Sequence, residues 1–115
     1  MKIYVGHSRE FDFKKELYEP LKQLNHNFIF PHEDSDEPQN SKESTKTYDL
    51  MIAEVSFPST GLGIEIGWAD ALNISIIYIY QAGANISGSL KVMKGKFIEY
   101  SNQEDLIEKL RKEIN

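Results

Sequence analysis

Glu65 is the side chain in this sequence best placed to act on an electrophilic carbon. It lies in Ala53-Glu54-Val55-Ser56-Phe57-Pro58-Ser59-Thr60-Gly61-Leu62-Gly63-Ile64-Glu65-Ile66-Gly67-Trp68-Ala69. The stretch reads as a buried strand, a glycine-containing turn and a helix with the carboxylate in its first turn. Glycines let a backbone approach a ligand closely, and a helix start offers unpaired N–H groups and a positive dipole end to an anion. Ser59 and Gly61 stand at that start. Pro58-Ser59-Thr60-Gly61 is also an ordinary turn and cap, and the two roles coexist, because a cap position is an anion site as well. A first-turn glutamate has a plain structural explanation too, since the macrodipole favours it by about 0.3–1 kcal/mol. Its apolar neighbours Leu62, Ile64, Ile66 and Trp68 argue for more. An ionised, positioned carboxylate can attack an anomeric carbon and form a covalent glycosyl intermediate. A cradle for an anion beside such a group suits a phosphorylated small molecule.

A second donor-rich turn is Gly6-His7-Ser8-Arg9. Gly6 permits the turn, and Arg9 can hold phosphate oxygens with two prongs. As a bare helix-start cation Arg9 would sit slightly unfavourably in the dipole, which favours a ligand role. His7 reads as a surface or packing residue on general grounds and as a candidate site residue by position, with Ser8 beside it. Glu54 lies in an apolar strand, where an unpaired charge is costly. It must reach water, pair with a cation such as Arg9, or contact the ligand, and an ion pair is favoured. Pro31-His32-Glu33-Asp34-Ser35-Asp36-Glu37-Pro38 is an acidic loop that is solvated on base rates and could supply an acid. His7, His26 and His32 among scattered carboxylates lack metal-site spacing, so neither metal nor cofactor is expected.

The elements that would position these groups alternate. Strands are expected at 2–6, 27–30, 50–55, 74–80 and 96–100. Phe13, Leu17, Leu21 and Leu24 form a helical stripe that Pro20 should kink or tighten. A short helix is expected near 41–47, a longer one over 61–72 with Ile64, Trp68 and Leu72 on one face, and a short one near Leu90. Ser101-Asn102-Gln103-Glu104 has capping-box form and opens a last helix whose Leu106, Ile107, Leu110 and Ile114 face inward. This alternation implies an α/β fold, a three-layer sandwich around about five parallel strands, flavodoxin-like or Rossmann-like. Ligands bind such sheets beyond the carboxyl ends of the strands, at the switch point. The loops after the first and third strands are the two donor-rich turns.

The 115 residues suit a single domain spanning 1–115. There is no cysteine, so thiolate nucleophiles and disulfides are excluded. A net charge of −5 argues against a nucleic-acid polymer as partner, and the longest apolar runs are too short to span a bilayer. Met1-Lys2 runs straight into a strand pattern with no signal-like region. The expectation is a soluble, cytoplasmic protein.

The blocks Ile3-Tyr4-Val5-Gly6…Arg9 and Ala53-Glu54-Val55-Ser56-x-Pro58-Ser59-x-Gly61-x-Gly63-x-Glu65-x-Gly67-x-Ala69 resemble the nucleoside 2-deoxyribosyltransferase superfamily. The closer resemblance is to its 2′-deoxynucleoside 5′-monophosphate N-glycosidase branch. The resemblance implies that Glu65 is the nucleophile at C1′ of the deoxyribose. It implies that Ser59, Gly61 and Arg9 hold the 5′-phosphate, and that Tyr4 is the aromatic residue of the first strand. It further implies a deoxynucleotide substrate and a homodimer whose neighbouring subunit lends a serine, for which Ser89 or Ser87 is the nearest candidate. The family's catalytic aspartate falls near Ser41, where none is present; Glu43 and Asp36 are the substitutes considered. The implied activity is hydrolysis of the N-glycosidic bond, with deoxyribosyl transfer between bases, or nucleotide sensing without catalysis, as alternatives.

Overall fold

Short apolar runs broken by turns make the parallel strands of this chain, and helices on both faces bury them. The computed structural model describes residues 1–34 and 42–114, and the backbone but not the side chain of Lys42. Strands β1 (Lys2–His7), β2 (Asn27–Ile29), β3 (Leu50–Glu54), β4 (Ser75–Gln81) and β5 (Lys96–Tyr100) form one sheet in the order β2-β1-β3-β4-β5. Every pairing is parallel. The expected α/β sandwich is therefore the fold, with the reversal of strand order at β1 and β3. Their register pairs Ile3 with Leu50 and His7 with Glu54, so the two strands end side by side.

Alternation along the strands divides the core in two. Ile3, Val5, Ile52, Ile77 and Ile79 face α4 (Gln103–Ile114) and the segment around α1 (Glu19–Leu21). Tyr4, Met51, Ala53, Ile76 and Tyr78 face α3 (Thr60–Ala71). The short α2 (Lys42–Thr45) contacts α3, and a 3-10 turn over Gly88–Val92 precedes β5. Tyr78 is fully buried and stacks on Phe97 at 4.4 Å, yet its hydroxyl has no hydrogen-bond partner among the described residues.

Three expectations are corrected in detail. The stripe from Phe13 to Leu24 is not one α-helix: a π-helical turn over Lys14–Tyr18 runs into the three-residue α1, with Pro20 in its first turn. The wider turn accommodates a residue that cannot donate to the helix ladder. In α3 the face carrying Ile64, Trp68 and Leu72 is the outer one. Ile64 is 49% and Leu72 37% exposed, whereas Leu62, Ile66 and Ala69 are buried. The cap of α4 is shifted by one residue. Asn102 Oδ1 accepts from the Asp105 N–H at 2.8 Å, and Asp105 Oδ2 accepts from the Ser101 N–H at 2.9 Å. The inward residues Leu106, Ile107, Leu110 and Ile114 are as expected.

Candidate active site

Above β1, between the loop after β2 and the start of α3, lies a groove of about 570 Å³. Tyr4 of β1 forms its floor, with Tyr48 stacked on it at 4.8 Å. Glu65, Ile64 and Trp68 of α3 form one wall, and Arg9, Pro31 and His32 close the carboxyl end with Ser59 and Gly61. It is a switch-point cleft of the kind open parallel sheets present to ligands.

Glu65 is half-buried, and its Oε2 accepts a hydrogen bond from the Tyr4 hydroxyl. It is the sixth residue of α3, so it stands in the second turn rather than the first. The macrodipole acts mainly within the terminal turn, so the specific partner here is the phenol of Tyr4. The helix spacing that carries Glu65 also brings Trp68, three residues on, to the same groove.

Ser59 is the N-cap of α3, extended at φ −153° and ψ 131°, and its Oγ accepts from the Leu62 N–H at 3.4 Å. Ser59 and Gly61 therefore line the groove at the helix's positive end. Gly6 has a steric reason to be glycine. A Cβ there would come within 2.6 Å of Met51 Cε and 3.0 Å of Leu62 Cδ1, so its bareness lets α3 lie close over β1.

Arg9 is exposed and lines the groove, with its Nη2 3.3 Å from His32 Nδ1. Ser8 is buried outside the groove lining, where its Oγ accepts from the Glu10 N–H at 3.1 Å and shapes the turn. His7, at the end of β1, lines the groove but is largely buried. Nδ1 donates to the Ser8 carbonyl at 2.7 Å, Nε2 accepts from the Tyr18 hydroxyl, and the ring stacks on Phe13 at 4.4 Å. Burial lowers its pKa to about 4, with His32 and Arg9 pushing the same way, so the ring is neutral at physiological pH.

The other sequence candidates lie elsewhere. Glu43 is exposed and pairs with Lys46 at 3.4 Å; it is Ser44 of α2 that lines the groove. Asp36 and Ser41 fall outside the described residues. Ser89 and Ser87 line a second, mainly apolar hollow with Leu62, Ile66, Leu90 and Met93, on the far side of Ser59. Glu54 does not pair with Arg9. Its Oε1 accepts from the Ser56 N–H at 2.6 Å and its Oε2 from the Tyr100 hydroxyl. Among the described residues no three His, Asp or Glu side chains gather as a metal site. Sequence reasoning passed over Tyr48, His32 and Trp68 as site residues. Trp68 had a signal in its three-residue offset from Glu65, and His32 in its place just past β2.

No family model matches the chain. Over 36 residues it is 56% identical to a Syntrophotalea carbinolica protein named "Putative 2'-deoxynucleoside 5'-phosphate N-hydrolase 1". That match covers 31% of this chain and only a quarter of the relative's length. The fold is shared with the CMP N-glycosidase BcmB of Clostridium botulinum at a TM-score of 0.77 and 22% identity, over 99% of this chain and all of that one.

Proposed function

We propose that this protein is an enzyme that hydrolyses the N-glycosidic bond of nucleoside 5′-monophosphates, with 2′-deoxynucleotides as its substrate class. The observation that carries the reading is the Glu65 carboxylate, held by the Tyr4 phenol in a groove whose other end combines a helix start, Ser59, Gly61 and Arg9. A phosphate on those donors would fix the sugar. Glu65 would then form a bond to C1′ as the C1′–N bond breaks and its electron pair leaves with the base, which takes up a proton. Water attacking C1′ releases Glu65 and the sugar phosphate. The names of the two relatives support the reaction class. They differ in the sugar they imply, so the substrate panel must contain both deoxy- and ribonucleotides.

The test is incubation with the deoxynucleoside and ribonucleoside monophosphates, watching for free base by chromatography. Release from the deoxy series is expected; no release from any member removes the enzymatic reading. Adding a second free base separates hydrolysis from deoxyribosyl transfer.

A nucleotide sensor without turnover is favoured by one observation, that Glu43 points away from the groove to Lys46. Such a protein would gain thermal stability from a nucleotide that it never consumes. The homodimer proposed with the enzyme would bring Ser89 or Ser87 of one copy to the groove of the other. Sedimentation of the purified protein as a monomer at all concentrations would remove that part.

A further inference from the structure

We propose that His7 is a positioning residue that presets Arg9 for the phosphate of the substrate, acting through the Tyr18 hydroxyl and the loop that carries His32; this rests on the phosphate site proposed above. The hydrogen bonds around His7 can be assigned in one direction. The Ser8 carbonyl can only accept, so Nδ1 of His7 carries the proton. In the neutral ring Nε2 is then an acceptor, and the Tyr18 hydroxyl donates to it. With its proton committed, the Tyr18 oxygen accepts from the backbone N–H of His32 at 3.2 Å. His32 Nδ1 in turn takes a hydrogen from Arg9 Nη2 at 3.3 Å.

The chain leaves His7 and returns to the residue two places along. His7 thus holds Arg9 from both sides, its backbone through the Ser8 carbonyl and its guanidinium through Tyr18 and His32. His7 is unsuited to proton transfer itself. It is 6% exposed, both nitrogens are engaged, and its ring is packed against Phe13. What it supplies is preorganisation. Arg9 is exposed and otherwise has a long side chain's freedom, and fixing it before the ligand arrives strengthens the contact it makes. The relay should therefore act on recognition of the phosphate and leave recognition of the nucleoside alone.

The experiment is calorimetric titration in the Glu65→Ala background, so that nucleotides are not consumed. The ligands are the four 2′-deoxynucleoside 5′-monophosphates and the matching unphosphorylated nucleosides. The readout is the ratio of the two dissociation constants. Tyr18→Phe keeps the ring and removes the relay oxygen; His7→Phe keeps the stack and removes both nitrogens. Each should lower the preference for the phosphorylated ligand about tenfold; with Tyr18→Phe, whose side chain lies outside the groove lining, unphosphorylated binding should be unchanged. The double variant should be no worse than either single one, as members of one chain are not additive. If the parent prefers the phosphorylated ligand, and Arg9→Ala loses that preference while Tyr18→Phe keeps it, the relay is overturned and the phosphate site stands. Independent, additive losses also overturn it. A parent with no preference for the phosphorylated ligand overturns the phosphate site and the relay together. Should His7→Phe fold poorly, Tyr18→Phe decides alone.

Discussion

Tyr4 and Glu65 act as one unit, because the hydroxyl of the first ends on a carboxylate oxygen of the second. Removing the carboxylate with Glu65→Ala should lower kcat by about 10³-fold or more while nucleotide still binds, since the covalent step is lost and the phosphate donors remain. Chromatographic assay of free base and calorimetry on the same preparation check both halves. Tyr4→Phe should be milder. A hydrogen bond to a charged group contributes about 1.5–3 kcal/mol, so kcat should fall by about 10–100-fold if that bond is needed only as the nucleophile attacks. An unchanged kcat would mean that the phenol merely fills the floor of the groove.

Close approach at β1 and a strained turn before β5 give two glycines different costs. At Gly6 a Cβ meets the ends of Met51 and Leu62, which can yield, so Gly6→Ala should cost about 1–3 kcal/mol by overpacking. At Gly95 φ is +140° and a Cβ would lie 2.5 Å from the Ile76 carbonyl oxygen. Backbone cannot yield that way, and Gly95→Ala should lower the melting temperature more than Gly6→Ala. Melting curves followed by circular dichroism rank them. The elements themselves were largely legible in the residues. The stripe of α4 marks a helix with one buried side, and the apolar run of β4 marks a strand covered on both faces. Helix α3 was harder to read, because Ile64, Trp68 and Leu72 make an apolar stripe that faces outward while Leu62, Ile66 and Ala69 do the packing. Periodicity finds a stripe but does not say which of two lies inside. The π-helical turn also escaped notice, since Pro20 announces a break without naming its form. At the site, the turn after β3 and Arg9 stood out by residue type. Tyr48 is brought to the groove by neighbours distant in sequence, and the role of Tyr18 rests on a hydrogen bond that no spacing encodes.

For the molecule as a whole, two buried ionisable groups pull stability in opposite directions as pH changes. Burial lowers His7 from 6.5 to about 4, so between those values the unfolded chain binds the extra proton. The stability it gives is complete above pH 6.5 and is lost as pH falls through about 4, a change of about 3 kcal/mol at most. Burial raises Glu54 above its ordinary 4.5, against the hydrogen bonds from Tyr100 and Ser56 that favour its charged form. Its contribution is complete below 4.5 and is lost as pH rises through the elevated value. Urea unfolding across pH 4 to 8 should therefore show Glu54→Gln removing the decline that sets in as pH rises above 4.5, and leaving the acid-side loss that belongs to His7. The Tyr78 hydroxyl offers a separate route to a hardier protein. An oxygen buried beside Phe97 with no partner among the described residues has given up its water for no return, so Tyr78→Phe should raise the melting temperature by about 3 °C or more. Because that ring does not line the groove, the gain should come without any change in ligand affinity, giving a heat-tolerant parent in which damaging substitutions elsewhere can still be purified and measured.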